Sequence, residues 1–519
     1  MKKRTQKFQH FLNRFLVILL IVLQVALFFY LIASTSKLSV WVGYALRLIS
    51  LCVALHIMSV REKSGFKLVW ILLVLVFPLF GGISYLVFHL QASTLNFRRS
   101  ISTLEFKTRP QLLLGDSSPD TSANVYQNAL STNSDFSSNI FYLQQTAGFP
   151  VFDKTRSDFL SPGEVYFSKL CEELEKAEKY IFIESFIIDD GLMWDKILKI
   201  LQKKAEKGLD VRVIYDDVGS FLLHDHNFPK KLKEMGVKCV AFNRFKPFFL
   251  VSLNHRDHRK IVVIDGKVAF TGGINIADEY INVRERFGYW KDAAVMVEGQ
   301  GAWSLAVIFL QLWNFTERTN ENFSIFFPWK NENCISLSDG FVQPFADSPT
   351  DNENVAEHVY LHMINCTKDY LYIETPYFIV DDSFVSALIL AAKSGVDVRI
   401  VLPHKWDKQL VKQISRSYYR ELILGGVRVF EYLPGFMHSK IFLSDDKAAC
   451  VGSINLDYRS LYHHFEAGVC LYGTSTLTQI RQDFDKVFED CIEIKSENCS
   501  GNVFAKIWQT FLRIIAPIL

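Results

Sequence analysis

The sequence predicts an α/β protein: two pseudo-symmetric α/β/α halves packed together, preceded by N-terminal transmembrane helices. Three observations lead there. The first ninety or so residues hold long uncharged apolar runs. Beyond about residue 149, an order of helix, buried strand, helix and strand occurs twice. Each copy closes on the same spaced set of histidine, lysine, aspartate, glycine and asparagine.

At the N-terminus, Phe15 to Ser34 is apolar and uncharged, broken only by Gln24, and Leu68 to Leu90 is uncharged around Pro78, Gly81 and Gly82. Each is long enough to cross a hydrocarbon core of about 30 Å. Leu38 to Ser59 is a third candidate, although it carries Arg47 and His56. A signal peptide is the alternative for the first run, but the run is long for a signal core and no A-x-A site follows. Residues 1–92 are therefore read as a membrane anchor with two or three hydrophobic helices. Lys2, Lys3, Arg4, Lys7 and Arg14 precede it, and Arg98, Arg99, Lys107 and Arg109 follow it. The positive-inside rule places both flanks, and the region that follows, in the cytoplasm. Arg61, Lys63 and Lys67 then fall on the wrong side, so either the Arg47 segment is interfacial or the rule fails once.

Composition excludes some classes. Net charge is +2, so no global field points to nucleic acid. Aromatics reach 14%, with 44 Phe, which suits membrane-embedded parts and a large core. The 9 cysteines are scattered without a CxxC pair, which implies free core thiols and neither a disulfide framework nor a zinc site.

Residues 93–148 read as a linker, because "GDSSPDTSAN" and "LSTNSDFSSN" are rich in Ser, Asn and Asp. Residues 149–330 then form the first half and 331–495 the second. "AEKYIFIESFIIDDG" and "KKAEKGLDVRVIYDD" in the first half correspond to "TKDYLYIETPYFIVDDS" and "LAAKSGVDVRIVLPH" in the second. Glu184 matches Glu374, and Gly208 matches Gly395. Strands alternating with helices at this spacing imply parallel strands joined by crossover helices. Residues 496–519 end in an amphipathic helix. Lys506, Gln509, Thr510 and Arg513 share one face and Trp508 and Phe511 lie among the apolar rest. That pattern suits a membrane surface, with packing on the catalytic region as the alternative.

Each half closes on H-x-K-x4-D-x6-G-[GS]-x-N: "HRKIVVIDGKVAFTGGIN" from His258 and "HSKIFLSDDKAACVGSIN" from His438. One such motif is weak; two with matching Gly and Asn are hard to obtain by accident. In a strand, residues i and i+2 share a face. His258 projects with Lys260, and His438 with Lys440. If the halves meet, two imidazoles and two lysines form a cationic pocket with no obvious metal ligand set. It suits a phosphodiester, whose non-bridging oxygens the lysines and Asn275 and Asn455 would hold. One histidine attacks phosphorus, and the other serves as acid and then base. Asp265 and Asp445 complete the six catalytic candidates, although their place after a strand also suits fixing a turn. Asp292 in "YWKDAAV" and Glu466 in "HHFEAGV" are the candidates to orient the imidazoles.

This duplicated motif resembles the phospholipase D superfamily, and the match covers about Phe149 to Lys495. The closer resemblance is to bacterial cardiolipin synthases. It rests on "FKLVWILLVLVFPLFGGISYLVFHL" (Phe66 to Leu90), on "PGFMHSKIFLSDDKAACVGSINLDYRSLYHHFE" (Pro434 to Glu466) and on the terminal "FLRIIAPIL". The resemblance implies two phospholipase D-type halves. It also implies phosphatidyl transfer between two phosphatidylglycerols, releasing glycerol and requiring no metal, nucleotide or other cofactor, in a multi-pass protein of the bacterial cell membrane. By analogy His258 is the nucleophile and His438 the acid/base, with exchanged roles open. Partners are phosphatidylglycerol and membrane lipids, not nucleic acid; a homo-oligomer is left open. Two departures stand out. Asp257 replaces the usual Asn before the first histidine, and Gly273 stands where the second motif has Ser453. A phospholipase D hydrolase, or a transferase with another alcohol acceptor, shares the chemistry; a nuclease is more distant. His255 has no counterpart in the second half and is expected to be structural. His463 and His464 are either supporting residues of the site or local packing.

Overall fold

The computed structural model describes residues 37–77, 81–82, 84–85, 92–115, 119–220, 223, 227–244, 255–329, 339–499 and 503–518. The expected spanning run Phe15 to Ser34 and parts of Leu68 to Leu90 lie outside these. Described residues up to Asn96, together with those from Thr510 onward, form one compact unit; those from Phe97 to Gln509 form another. The first unit contains the helices Lys37–Ser59 and Ser64–Val76. Ile57, Val74 and Tyr85 close a small core there, while Trp41, Leu48, Leu55, Leu68 and Leu72 stay exposed. Among the described residues no helix is long and apolar enough to cross a membrane.

The second unit holds the duplication. Its first half contains β1 (Thr155–Leu160), β2 (Tyr180–Ser185), β3 (Asp210–Asp216), β4 (Lys238–Phe242), β5 (Arg256–Asp257), β6 (Ile261–Ile264), β7 (Val268–Gly272), β8 (Tyr289–Lys291) and β9 (Ala294–Gly299). Its second half contains β10 (Phe341–Asp347), β11 (Tyr370–Glu374), β12 (Phe378–Ile379), β13 (Asp397–Pro403), β14 (Arg428–Tyr432), β15 (Gly435–Met437), β16 (Ile441–Ser444), β17 (Ala448–Gly452), β18 (Leu456–Asp457), β19 (His464–Tyr472) and β20 (Cys491–Ile494). The sheets run β1-β9-β7-β6-β2-β3-β4 and β10-β19-β17-β16-β11-β13-β14-β20. These orders correspond strand for strand, with β20 as an added edge. As expected, β2, β3 and β4 are parallel, and so are β11, β13 and β14. The motif strands instead form antiparallel hairpins, β6–β7 and β16–β17. Their turns place consecutive residues at positive φ, Asp265 and Gly266 in one and Asp445 and Asp446 in the other, as tight hairpins of right-handed twist require.

Helices cover the sheets because their apolar residues recur at helical spacing. Tyr166, Phe167, Leu170 and Leu174 bury one face of Gly163–Lys176, and Met193, Ile197, Ile200 and Leu201 one face of Leu192–Glu206. The halves share a core in which Ala293, Val295 and Val297 pack with Val451, Val469 and Leu471.

The segment expected to be a linker is folded. It forms the helices Ala92–Thr108, Pro119–Thr132 and Ser137–Phe141. Polar contacts dock its second part on the second half. Asn139 Nδ2 donates to Tyr472 Oη (3.2 Å), Tyr142 Oη donates to Glu353 (2.6 Å), and Asp135 pairs with Lys447 (2.8 Å) and Lys368. Its side chains are polar because its partners are, so low apolarity misread it as a linker.

Candidate active site

The strands that lead into the two motifs are exchanged between the halves. β5 pairs in parallel with the start of β19, Arg256 opposite His464 and Asp257 opposite Phe465. β15 pairs in parallel with β8, Gly435 opposite Tyr289 and Met437 opposite Lys291. The ladder continues one step into each motif: His258 N–H donates to Phe465 O (3.0 Å) and His438 N–H to Lys291 O (2.7 Å). The residue after each of those carbonyls is an acid. Each motif histidine therefore meets a carboxylate from the other half. His258 Nδ1 lies 2.9 and 3.1 Å from the two oxygens of Glu466, and His438 Nδ1 lies 2.6 Å from Asp292 Oδ2. Both acids are fully buried and both histidines nearly so.

Burial sets the electrostatics first. It pushes His258 down to about 3 against the pull of Glu466, and His438 down to about 4 with help from Lys440. Burial alone would raise Glu466, but the adjoining His258 reverses this and holds it well below the usual carboxylate range. At neutral pH the first dyad is thus an ionised carboxylate and a neutral imidazole. Nδ1 carries the proton toward Glu466, and the Nε2 lone pair is left for a substrate. Burial also lowers Lys260 to about 7 and Lys440 to about 8, and the charges of each motif act on the lysine of the other. Each lysine Nζ donates to the carbonyl of its own motif histidine. Phe186 packs edge-on to His258 (5.1 Å between centroids), and Tyr280 and Trp290 pack at 5.4 and 5.2 Å from His438.

The departure at Gly273 has a steric cause. A Cβ there would overlap Asp292 Oδ1. In the other dyad, Ser453 Oγ donates to Glu466 Oε2, whereas the second oxygen of Asp292 accepts the Ala293 N–H (2.8 Å). A short acid over glycine and a longer acid over serine are alternative ways to satisfy one carboxylate.

The structure does not group every candidate in the pocket. Asp265 accepts the N–H groups of Glu178, Lys179 and Tyr180 at 2.7–2.8 Å, and Asp445 those of Lys368, Asp369 and Tyr370 at 2.8–2.9 Å. Both tie a hairpin turn to the start of the neighbouring strand, which corrects their place among the catalytic candidates. Asn275 is also engaged internally: Oδ1 accepts the Ile187 N–H (3.1 Å) and Nδ2 donates to Tyr280 Oη (2.6 Å). Asn455, by contrast, is buried with Oδ1 unpartnered. His255 faces away from the chemistry, with Nδ1 3.2 Å from His463 O and its ring stacked on Phe97.

Sequence reasoning missed the layer behind the motifs. Arg259 faces opposite to His258 and pairs with Glu184 (2.6 Å) and Asp257 (3.1 Å). Asp257 N–H also donates to Asp216 (3.0 Å). Burial raises Glu184 well above the carboxylate range despite Arg259, and raises Glu374 to about 7. The matched acids Glu184 and Glu374, each ending a buried strand in its repeat, were the available signal. One trio, His258, His464 and Glu466, places donor atoms within 4.8 Å of one another. Two buried lysines act on this carboxylate or its partners, so the pocket's chemistry suits an anion better than a metal cation.

Two histidines oriented by buried carboxylates, with two lysines beside them, define a phosphodiester-transfer site of the phospholipase D type. Comparison with known proteins places it further. Residues 170–300 and 360–488 match the cardiolipin synthase, PLD-like domain, and residues 46–88 match the phospholipase D-nuclease N-terminal region. A cardiolipin synthase of Halalkalibacterium halodurans is 33% identical over 95% of this chain and 99% of its own length. An uncharacterised protein of Streptococcus mutans is 43% identical over 73% of this chain and 82% of its own. The crystal structure of phosphatidylserine synthase from Haemophilus influenzae superposes with a TM-score of 0.57 at 16% identity, covering 74% of this chain and 97% of that one, a likeness of fold. The chain belongs to the cardiolipin synthase family, phosphatidyltransferases of the phospholipase D superfamily.

Proposed function

We propose that the chain makes cardiolipin from two molecules of phosphatidylglycerol, with His258 as nucleophile and His438 as acid and base. The exchanged dyads carry this reading. His258 Nε2 attacks phosphorus while the bond to the glycerol headgroup breaks, and His438 gives that oxygen its proton. Glu466 balances the positive charge of the phosphohistidine. The terminal hydroxyl of a second phosphatidylglycerol then gives its proton to His438 and attacks phosphorus; the N–P bond breaks and His258 is restored. One phosphodiester replaces another, so no outside energy source enters. Burial holds both histidines neutral before substrate binds. The charge of the bound anionic substrate favours the imidazolium, so His438 takes its first proton from solvent on substrate binding.

The N-terminal region anchors the enzyme in the bacterial membrane with the catalytic halves in the cytoplasm. The match over residues 46–88 and the exposed apolar residues of the helices Lys37–Ser59 and Ser64–Val76 support the anchor, and the basic residues flanking it support the cytoplasmic side. Labelled phosphatidylglycerol incubated alone with the purified protein tests the function. Cardiolipin and glycerol are expected. Phosphatidic acid without cardiolipin would make it a hydrolase, and full turnover by His258→Ala or His438→Ala would sink the mechanism.

A further inference from the structure

We propose that His464 is a further phosphate-binding residue, donating a ring N–H to a non-bridging oxygen of the phosphodiester; this rests on the transfer reaction above. His464 opens β19, two residues before Glu466. Its ring lies 5.4 Å from that of His258, tilted by 40°. Nδ1 stands 3.8 Å from Glu466 Oε1, the oxygen nearest His258 Nδ1. The residue is nine-tenths buried, at 9% exposure, yet neither ring nitrogen has a hydrogen-bond partner.

The pseudo-symmetry sharpens the point. Trp290, two residues before Asp292, is the counterpart of His464 and sits 5.2 Å from His438. The indole there leaves one buried nitrogen, Nε1, without a partner. An imidazole at the matching place buries two polar nitrogens, which is unfavourable unless a ligand engages them. The trio of His464, His258 and Glu466 places one donor atom of each within 4.8 Å of the others, so this ring adjoins the ring of the nucleophile. With one nitrogen toward Glu466 and the other toward a phosphoryl oxygen, the ring bridges two anionic groups. It becomes a third nitrogen donor on the nucleophile's side, beside Lys260.

The full chain in detergent micelles, titrated calorimetrically with inorganic phosphate, tests this without turnover. His464→Phe keeps a ring and removes the donor; His464→Gln keeps a donor. The phenylalanine variant is expected to bind phosphate about tenfold more weakly and to lose about tenfold in kcat/KM, with the glutamine variant recovering most of both. Unchanged phosphate affinity in a folded His464→Phe would overturn the proposal, whatever happens to turnover. If that variant does not fold, His464→Gln is compared with His464→Glu: near wild-type affinity in the first and loss in the second supports the assignment, and equal affinity in both overturns it. Full turnover by His258→Ala would sink the catalytic reading instead and leave the phosphate titration to be judged by itself.

Discussion

The Gly273–Asp292 and Ser453–Glu466 pairs predict a failure and its rescue. A Cβ at position 273 would overlap Asp292 Oδ1, so Gly273→Ser has to push the carboxylate off His438 Nδ1, where it now sits at 2.6 Å. A hydrogen bond to a charged group contributes about 1.5–3 kcal/mol. At about 1.4 kcal/mol per tenfold, losing it in the reacting state lowers kcat by about 10- to 100-fold. Asp292→Glu alone lengthens the acid with no hydroxyl to take its second oxygen. The double variant rebuilds the pair found in the other half, where Ser453 donates to Glu466, and is expected within about threefold of wild type. The four proteins form a double-mutant cycle with a coupling of about 1–2 kcal/mol. Cardiolipin formed from labelled phosphatidylglycerol in mixed micelles gives kcat, and a melting curve for each variant excludes unfolding as the cause. A wild-type kcat for Gly273→Ser would refute the steric argument. A double variant no better than Gly273→Ser would show that position 273 acts by something other than the carboxylate.

Three further outcomes are expected. Asp445→Ala leaves three backbone N–H groups without their acceptor and costs about 3 kcal/mol; a lowered Tm with kcat nearly unchanged in the folded fraction is the result, and a selective loss of kcat would return Asp445 to the chemistry. Burial raises Glu374 to about 7. A raised acid stabilises fully below its unfolded value and loses that contribution as pH rises through the folded value, up to about 3 kcal/mol here. Glu374→Gln should therefore gain stability relative to wild type at pH 8 compared with pH 5, and a constant difference in denaturant melts would refute this. Lys260 and Lys440, lowered to about 7 and about 8, are charged only below those values, so KM for phosphatidylglycerol should rise between pH 7 and pH 9. A flat KM would mean that the lysines do not hold the phosphate.

The sequence revealed much of this fold because the pattern is written twice. Strands such as "YIFIES" and "YLYIE" are short apolar runs with a matched glutamate at or next to their end, and both fold as buried parallel strands. The histidines and lysines were legible from their spacing alone. Their partners were only half legible: Asp292 and Glu466 could be picked out as acids, but which acid meets which histidine depends on the pairing of β5 with β19 and β15 with β8. No local pattern encodes contacts between residues as far apart as 258 and 466. Asn275 shows the opposite error. Its spacing matched that of Asn455, yet the neighbouring Tyr280 and the Ile187 N–H take up its amide. The polar helices before β1 were lost for a third reason, since tertiary contacts such as Asp135 with Lys447 override weak local propensity.

The exchange of strands also accounts for Asp257, which replaces the usual Asn of the family. Neighbouring residues of an extended chain face opposite ways. His258 and Lys260 turn toward the pocket, so Asp257 and Arg259 turn toward Glu184. The carboxylate at 257 therefore meets the buried guanidinium of Arg259 and does not meet the phosphate. Burial raises both Glu184 and Asp257, and the guanidinium of Arg259 opposes the rise in each. An asparagine there would leave the arginine with less compensation in a fully buried place, where an unpaired charge is costly. β5 is only two residues long, and it carries the backbone that sets His258 against Glu466. Asp257 thus lies in the strand that positions the nucleophile, with its carboxylate against Arg259.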